Sequence, residues 1–209
     1  MIDNIISGLL QSFDAMLAST YTLTVQKQIA TNSKIDLSKA ISKEEAYNGL
    51  SIDLLAISHY VMGADGKLYE AEVARFNQLF SRFGFNLTAA DSVKNVQLAA
   101  ERLGVMKQVP MSLKLFTEHA EMEYKAATPY TYVEVSDREK GALSVLLGSY
   151  AAICGEMAVA DGRTDAKEYN RIYDFLEDCR SYIDQKLPID FRMPEIVNQI
   201  LGNIYKGVF

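Results

Sequence analysis

Apolar residues recur at intervals of three and four along most of the chain, which is the spacing of one face of an α-helix. The clearest stripe follows Ser42 and consists of Tyr47, Leu50, Leu54, Ile57, Val61 and Ala64. Further stripes predict helices over about 69–83, 88–103, 110–127, 136–160, 165–183 and 194–206. Residues 128–135 alone have strand-like composition, and they are too short and isolated for a sheet, so we expect an extended crossover there. The pattern predicts an all-α helical bundle.

Capping boxes mark the predicted helix starts. In such a box a Ser, Thr or Asp side chain accepts a backbone N–H three residues on, and an acidic side chain there reaches back to the first residue. The pairs with this spacing are Ser42 and Glu45, Thr88 and Asp91, Ser136 and Glu139, and Asp165 and Glu168. Only four prolines occur in 209 residues, which also favours long helices.

Residues 2–17 have the pattern of an amphipathic helix. Its apolar positions are Ile2, Ile5, Ile6, Leu9, Leu10, Phe13, Met16 and Leu17. A helix that lies on a membrane surface usually carries Lys or Arg on its polar face, whereas this one carries Asp, so we expect it to pack on the core or on a partner. A second helix over 20–31 and a polar connector over 32–41 complete a predicted arm, residues 1–41, on a domain of residues 42–209.

A repeat with an offset of 96 residues is the most informative feature of the sequence. Residues 60–80 align with 156–176, and the identical pairs are Ala64/Ala160, Asp65/Asp161, Gly66/Gly162, Glu72/Glu168 and Arg75/Arg171. We therefore expect one helix–Asp-Gly–helix hairpin in two copies, over about 42–83 and 136–183, packed about a pseudo-twofold axis. A helical insertion over about 88–135 separates the copies.

Helix capping explains the Asp-Gly motif without a ligand. Glycine takes a positive φ at no steric cost and ends a helix sharply, and Asp accepts N–H groups of the following turn. Glu72 and Glu168 fall in the first turn of the next helix, where negative charge meets the positive end of the helix dipole. Arg75 and Arg171 follow three residues later, within ion-pairing distance of these acids on the same helix.

The same spacing also predicts a hard-cation site. In the calcium loop D-x-[DN]-x-[DN]-G-x₅-E, the last Asp, the Gly and the Glu are spaced as in this motif, but the first two ligand positions here are Val, Gly or Met. Neither copy is complete, so a site for Ca²⁺ or Mg²⁺ needs both. The candidate ligands are Asp65, Glu72, Asp161 and Glu168, supported by Gly66, Gly162, Glu70 and Asp165. We expect weak binding, because Lys67, Arg163, Arg75 and Arg171 offset the negative charge.

A helix that ends in Ala-Asp-Gly, followed by Glu at the start of an amphipathic helix, resembles the TerB-like family of tellurite-resistance proteins. The resemblance covers residues 46–80 and 142–176. It implies an all-helical fold, acidic side chains clustered on one surface, and a non-catalytic role in metal-linked or envelope-stress responses, often beside membrane-bound partners. The family's acidic positions map onto Asp65, Glu72, Asp161 and Glu168. The arm and the insertion depart from the family pattern.

Composition narrows the function classes further. The net charge of −6 and the absence of a basic stripe argue against nucleic-acid binding. The N-terminus lacks a basic region before an apolar run, and no stretch approaches 18 apolar residues, so we expect neither a signal peptide nor a transmembrane segment. Two cysteines, Cys154 and Cys179, fall in apolar helical stretches and predict buried free thiols and a cytoplasmic setting.

The chain lacks the usual catalytic motifs, and its two histidines, His59 and His119, do not form a zinc motif. We therefore expect no enzyme, although paired carboxylates alone can serve hydrolases. Two interpretations remain: a TerB-like binding or stress module that acts through an acidic surface, and a structural assembly protein in which the Asp-Gly turns are only helix caps. In either case the expected partners are proteins, including membrane-associated ones, or a second copy bound through residues 2–17.

Overall fold

The computed structural model of the chain describes residues 2–30, 42–127, 137–162, 164–187 and 191–206. Within these ranges it forms eight α-helices and no β-strand, which confirms the all-α class. The helices are α1 (Ile2–Ala30), α2 (Lys43–Met62), α3 (Glu70–Phe80), α4 (Ala89–Ala99), α5 (Met111–Ala127), α6 (Asp137–Ala158), α7 (Ala166–Lys186) and α8 (Glu195–Tyr205). The predicted connector over 32–41, the crossover over 128–135 and the capping residue Ser136 lie outside the described residues.

Three of the predicted capping boxes are confirmed, at Ser42, Thr88 and Asp165. In each case the acidic side chain three residues on accepts the N–H of the capping residue. These starts were predictable because a capping box depends only on residues within one turn of the chain.

Residues 2–30 of the N-terminal arm form one continuous helix, so the prediction of two shorter helices was wrong. The β-branched residues near position 22 lower helix propensity by only a few tenths of a kcal/mol each, and neither Gly nor Pro interrupts this stretch. Ile6, Leu9 and Phe13 are fully buried, and the Phe13 ring stacks on Phe116 of α5 with 5.8 Å between centroids. The apolar side of α1 between Ile6 and Met16 therefore lies on the core of its own chain.

Helices α2 and α6 pack against each other at the centre of the bundle, and the other helices surround them. Tyr150, Ile153 and Met157 of α6 are completely buried, as are Leu54 and Ile57 of α2. By length and composition alone the window Gly141–Ala158 of α6 could cross a membrane, which is an exception to the expectation stated above. However, 72 % of that window is buried inside the fold, as is common for the central helix of a bundle.

The segment between the two repeats forms an integral part of this core. Helix α4 packs along α2 and continues into a π-helical turn, Ala100–Val105, while α5 contacts α1, α2 and α6. Phe116 of α5 is 2 % exposed. The predicted insertion therefore supplies buried surface to both central helices.

A buried carboxylate of α2 caps the N-terminus of α5. Asp53 Oδ1 accepts the amide of Met111 at 2.9 Å, and Oδ2 accepts the amide of Ser112 at 2.6 Å and its hydroxyl at 2.5 Å. The Ser112 hydroxyl lies 2.5 Å from that of Tyr150 on α6. Burial raises the pKa of Asp53, and the hydrogen bonds from Ser112 and Met111 act in the opposite direction. One polar network thus joins α2, α5 and α6.

We predict that Asp53→Ala lowers the free energy of unfolding by about 3 kcal/mol, because it leaves two N–H groups of α5 and the buried Ser112 hydroxyl without their acceptor. Urea denaturation followed by circular dichroism measures the loss. The matched control is Ser42→Ala, which removes an exposed cap and should cost only about 1 kcal/mol. Equal losses in the two variants would show that the buried network adds nothing to an ordinary cap.

Candidate functional site: the paired acidic turns

The two Asp-Gly turns have the same local backbone structure. Helices α2 and α6 end 96 residues apart, at Met62 and Ala158, and α3 and α7 begin 96 residues apart. Gly66 has a φ of 84° and Gly162 a φ of 80°, so both take the left-handed conformation predicted from the motif. Their amides donate to the carbonyls of Gly63 and Val159, at 3.3 and 3.0 Å. Superposition of 46–83 on 142–179 stays a prediction.

The two repeated glutamates are buried and serve as caps. Glu72 is 2 % exposed and Glu168 is 7 % exposed. Glu72 Oε2 accepts the amide of Tyr69 at 2.7 Å, and Glu168 Oε2 accepts the amide of Asp165 at 2.9 Å. Both carboxylates therefore hold the first turn of their own helix, as the capping interpretation predicts.

The neighbouring aspartates also have backbone partners. Asp65 Oδ1 accepts the amide of Lys67 at 2.8 Å, and its Oδ2 accepts the Tyr69 hydroxyl at 3.3 Å. Asp165 Oδ1 accepts the amides of Lys167 and Glu168, at 2.7 and 2.9 Å. Asp161 is half-buried, whereas Glu70 is exposed at the start of α3. Asp65 and Asp161 thus form the more accessible edge of the turns.

The repeated arginines do not pair with the glutamates of their own helices, so that expectation was wrong. Arg75 forms a salt bridge with Glu156 of α6, and its Nη1 also donates to Gln78 at 2.6 Å. Arg171 Nη1 donates to the carbonyl of Tyr60 at 2.9 Å, and its guanidinium lies 4.9 Å from the centre of the Tyr60 ring. Each arginine therefore crosses to the other repeat instead of neutralising the acids.

These crossed contacts are reciprocal. Tyr60 and Glu156 occupy equivalent positions in the repeat, 96 residues apart, as do Arg75 and Arg171. The helices follow the same pattern: α3 of the first repeat contacts α6 of the second, and α7 of the second repeat contacts α2 of the first. In a twofold interface, each contact from the first unit to the second is repeated from the second unit to the first. The contacts of Arg75 with Glu156 and of Arg171 with Tyr60 follow this rule.

The four acids of the repeat form one electrostatic group, which we call the turn pair: Asp65, Glu72, Asp161 and Glu168. Burial, together with the charges of Glu168, Asp161 and Asp65, raises the pKa of Glu72 from 4.5 to about 8, against the hydrogen bond from Tyr69. Burial likewise raises the pKa of Glu168 to about 7, helped by the charges of Asp165, Asp161 and Asp65. Acids of the two repeats therefore influence each other's ionisation.

The turn pair is not preformed as a metal centre. Across the described part of the chain, no three His, Cys, Asp or Glu side chains converge closely enough to hold an ion. One oxygen of each glutamate is already bound to a backbone amide, so Asp65 and Asp161 would have to supply further ligands to a cation. Arg163, one of the residues expected to offset the charge, lies outside the described residues.

Comparison of the chain with protein-family models, with curated proteins and with solved structures gives no match. The resemblance to the TerB-like family therefore depends on the residues of the repeat alone.

Sequence reasoning missed three residues that organise this region. Asp53 lies between Leu50 and Leu54 on the buried face of α2, and a charged residue inside an apolar stripe was the available signal. Tyr60 and Glu156 are equivalent positions of the repeat but different residue types. A comparison limited to identical residues therefore did not identify them as the partners of the two arginines. No local pattern marks such contacts, because they join residues about 80 to 110 positions apart.

The raised pKa values predict an unusual pH dependence. A carboxyl group whose pKa is higher in the folded than in the unfolded chain stabilises the fold at pH below 4.5, and this stabilisation is lost as pH rises towards 8. Glu72→Gln/Glu168→Gln should therefore be more stable than the wild type at pH 8.5, by on the order of 3 kcal/mol, with little difference at pH 4.5. Glutamine keeps an oxygen for each backbone amide. Urea denaturation across this pH range measures the difference.

The control for that experiment is Glu45→Gln at the exposed capping box of α2. Hydrogen bonds from Ser42 lower the pKa of Glu45, so this variant should lose stability above pH 4.5 instead of gaining it. Effects of the same sign at the two sites would contradict the assignment of Glu72 and Glu168 as buried acids that resist ionisation.

Proposed function

We propose that this chain is a non-catalytic binding module of the stress-response type to which the TerB-like resemblance points, and that it acts through the turn pair. The observation that carries the proposal is the burial of Glu72 and Glu168 among charges of their own sign. A buried carboxylate is costly unless a cation or a proton compensates it. A ligand that brings positive charge to Asp65 and Asp161 would therefore stabilise the folded chain.

Two kinds of positive charge fit this surface. Oxygen ligands favour Ca²⁺ or Mg²⁺ over zinc, and incomplete loops favour weak binding, at millimolar concentrations. A lysine or arginine of a protein partner, free or associated with a membrane, supplies the same charge as part of a larger interface. We place the cation first, since the spacing of each turn matches the second half of a calcium loop.

Catalysis fits the chain poorly, which supports a binding role. Among the described residues, the groups that commonly act as nucleophile or base include Cys154, Cys179 and His59, and each is completely buried. Burial raises the pKa of both thiols and lowers that of His59, so none is both accessible and ionised near neutral pH. We propose a cytoplasmic protein without nucleic-acid partners, on the evidence of its charge and its free thiols.

A structural assembly protein is the alternative, and one observation favours it: each glutamate of the turn pair already holds a backbone amide. In that case the acids stabilise helix ends and the partner binds elsewhere. Self-association through residues 2–17 is a weaker form of this alternative, because Ile6, Leu9 and Phe13 are already covered by the same chain.

The cation proposal predicts that millimolar Ca²⁺ or Mg²⁺ raises the melting temperature of the wild type, since a ligand of the native state stabilises it. The rise should be larger at pH 8 than at pH 6, because protons compete for the same carboxylates, and binding should release protons. Differential scanning fluorimetry and calorimetry in buffers of different ionisation enthalpy measure both effects. Asp65→Asn/Asp161→Asn should abolish the rise.

The matched control is Asp91→Asn, which alters an exposed capping aspartate of α4 and should leave the cation effect intact. No shift of the wild type at 10 mM cation would eliminate the ion site and leave the assembly protein. The aspartates would then act as caps alone, and each Asp→Ala change should cost about 1 kcal/mol.

A further inference from the structure

A second surface, which shares no residue with the turn pair, lies between α2, the π-helical turn and the start of α5. It is a half-open cavity of about 210 Å³. Its apolar walls are formed by Ile52, Ala56, Leu103, Val109 and Met111. Sites for small molecules usually measure about 300–1,000 Å³, so this cavity suits a single apolar side chain better than a whole ligand. We call this surface the anchor groove.

Exposed apolar side chains extend the groove beyond the cavity. Ile52 and Met111 of the cavity wall are 53 % and 38 % exposed, and Met106, whose sulfur lies 3.3 Å from Nε2 of the lining residue Gln108, is 56 % exposed. Single exposed apolar residues are normal, but several around one cavity are typical of a protein-binding surface. Methionine is common at such surfaces because its flexible thioether adapts to different partners.

The backbone that presents these side chains is held in an unusual conformation. The amide of Met106 donates to the carbonyl of Glu101 at 2.8 Å, five residues back, as a π-turn requires. Lys107 has a φ of 49°, which is uncommon for a residue with a Cβ, and its ammonium lies 3.0 Å from both carboxylate oxygens of Asp178 on α7. Strained turns of this kind persist where the surrounding structure fixes them, and they are frequent at functional sites.

The charges at the groove are positive, although the chain as a whole is acidic. Arg102 and Lys114 line the cavity and are exposed, and neither has an ion-pair partner in the described part of the chain. Asp53 is the one acid on the cavity wall, and both of its oxygens are engaged by the amides and hydroxyl at the start of α5. Two exposed cations therefore stand beside an apolar cavity. Lys114 also interacts electrostatically with Asp53, but that carboxylate is buried and is bound by the first residues of α5.

We propose that the anchor groove docks an acidic segment of a partner protein, with one large apolar side chain of the segment in the cavity and its carboxylates beside Arg102 and Lys114. The apolar anchor supplies binding energy through burial, as at the centre of most protein interfaces. The flanking charges select an acidic sequence and exclude a basic one. This docking is independent of the turn pair and needs no cation.

The test uses the full chain labelled with ¹³C at the methionine methyl groups, titrated with the peptide acetyl-EELFEE-amide. The methyl resonances of Met106 and Met111, assigned from Met106→Leu and Met111→Leu, should shift in a saturable way. The basic peptide acetyl-KKLFKK-amide should shift neither. Arg102→Glu/Lys114→Glu should weaken binding of the acidic peptide at least about tenfold, and Ile52→Ser should weaken it as well.

The matched control is Lys94→Glu/Lys206→Glu, which makes the same charge change at two exposed lysines outside the groove and should alter the affinity by less than about threefold. All of these side chains are exposed, so each variant should keep the wild-type circular dichroism spectrum. Absence of saturable shifts, equal binding of the basic peptide, or equal weakening by the control would overturn the proposal. Equally strong binding of 3-phenylpropionate alone would also overturn it in favour of a small-molecule site.

Discussion

The packing of α2 against α6 is the contact on which the rest of the structure depends. The turns that follow these two helices are close enough for the charges of Asp161 and Glu168 to raise the pKa of Glu72. Arg75 and Arg171 then cross from one repeat to the equivalent position of the other. The acidic turn pair is therefore a product of tertiary packing, and neither hairpin would form it alone.

The capping acids of the described residues fall into two groups whose pKa values shift in opposite directions, although their local geometry is similar. At Glu45 and Asp91 the pKa is lowered by hydrogen bonds from the capping Ser or Thr, so ionisation stabilises those helix ends. At Glu72 and Glu168 burial raises the pKa, so ionisation opposes folding. Capping alone does not require a buried carboxylate, as the exposed caps at Glu45 and Asp91 show. This difference is the basis of the binding role proposed for the turn pair.

Features confined to one helical turn could be predicted from the sequence, and features that join distant residues could not. The boxes at Ser42, Thr88 and Asp165 and the positive φ of Gly66 and Gly162 follow from short patterns. The arginines were misassigned, because spacing on a helix identifies which partners are within reach but not which one the tertiary fold supplies. The anchor groove had no signal at all, since its cations and apolar walls come from three separate segments.

The two proposed surfaces share helix α2, which limits how they can influence each other. Its middle, with Ile52 and Ala56, forms one wall of the anchor groove, and its C-terminal end leads into the turn of Asp65. Between them, Leu54 and Ile57 are completely buried in the core. A close-packed helix transmits a signal only if it has a second stable arrangement that a ligand prefers. In the described structure α2 has a single arrangement. Asp53 holds it to the start of α5, and the Tyr60 carbonyl holds it to Arg171. We therefore propose that the turn pair and the anchor groove bind their partners independently of each other.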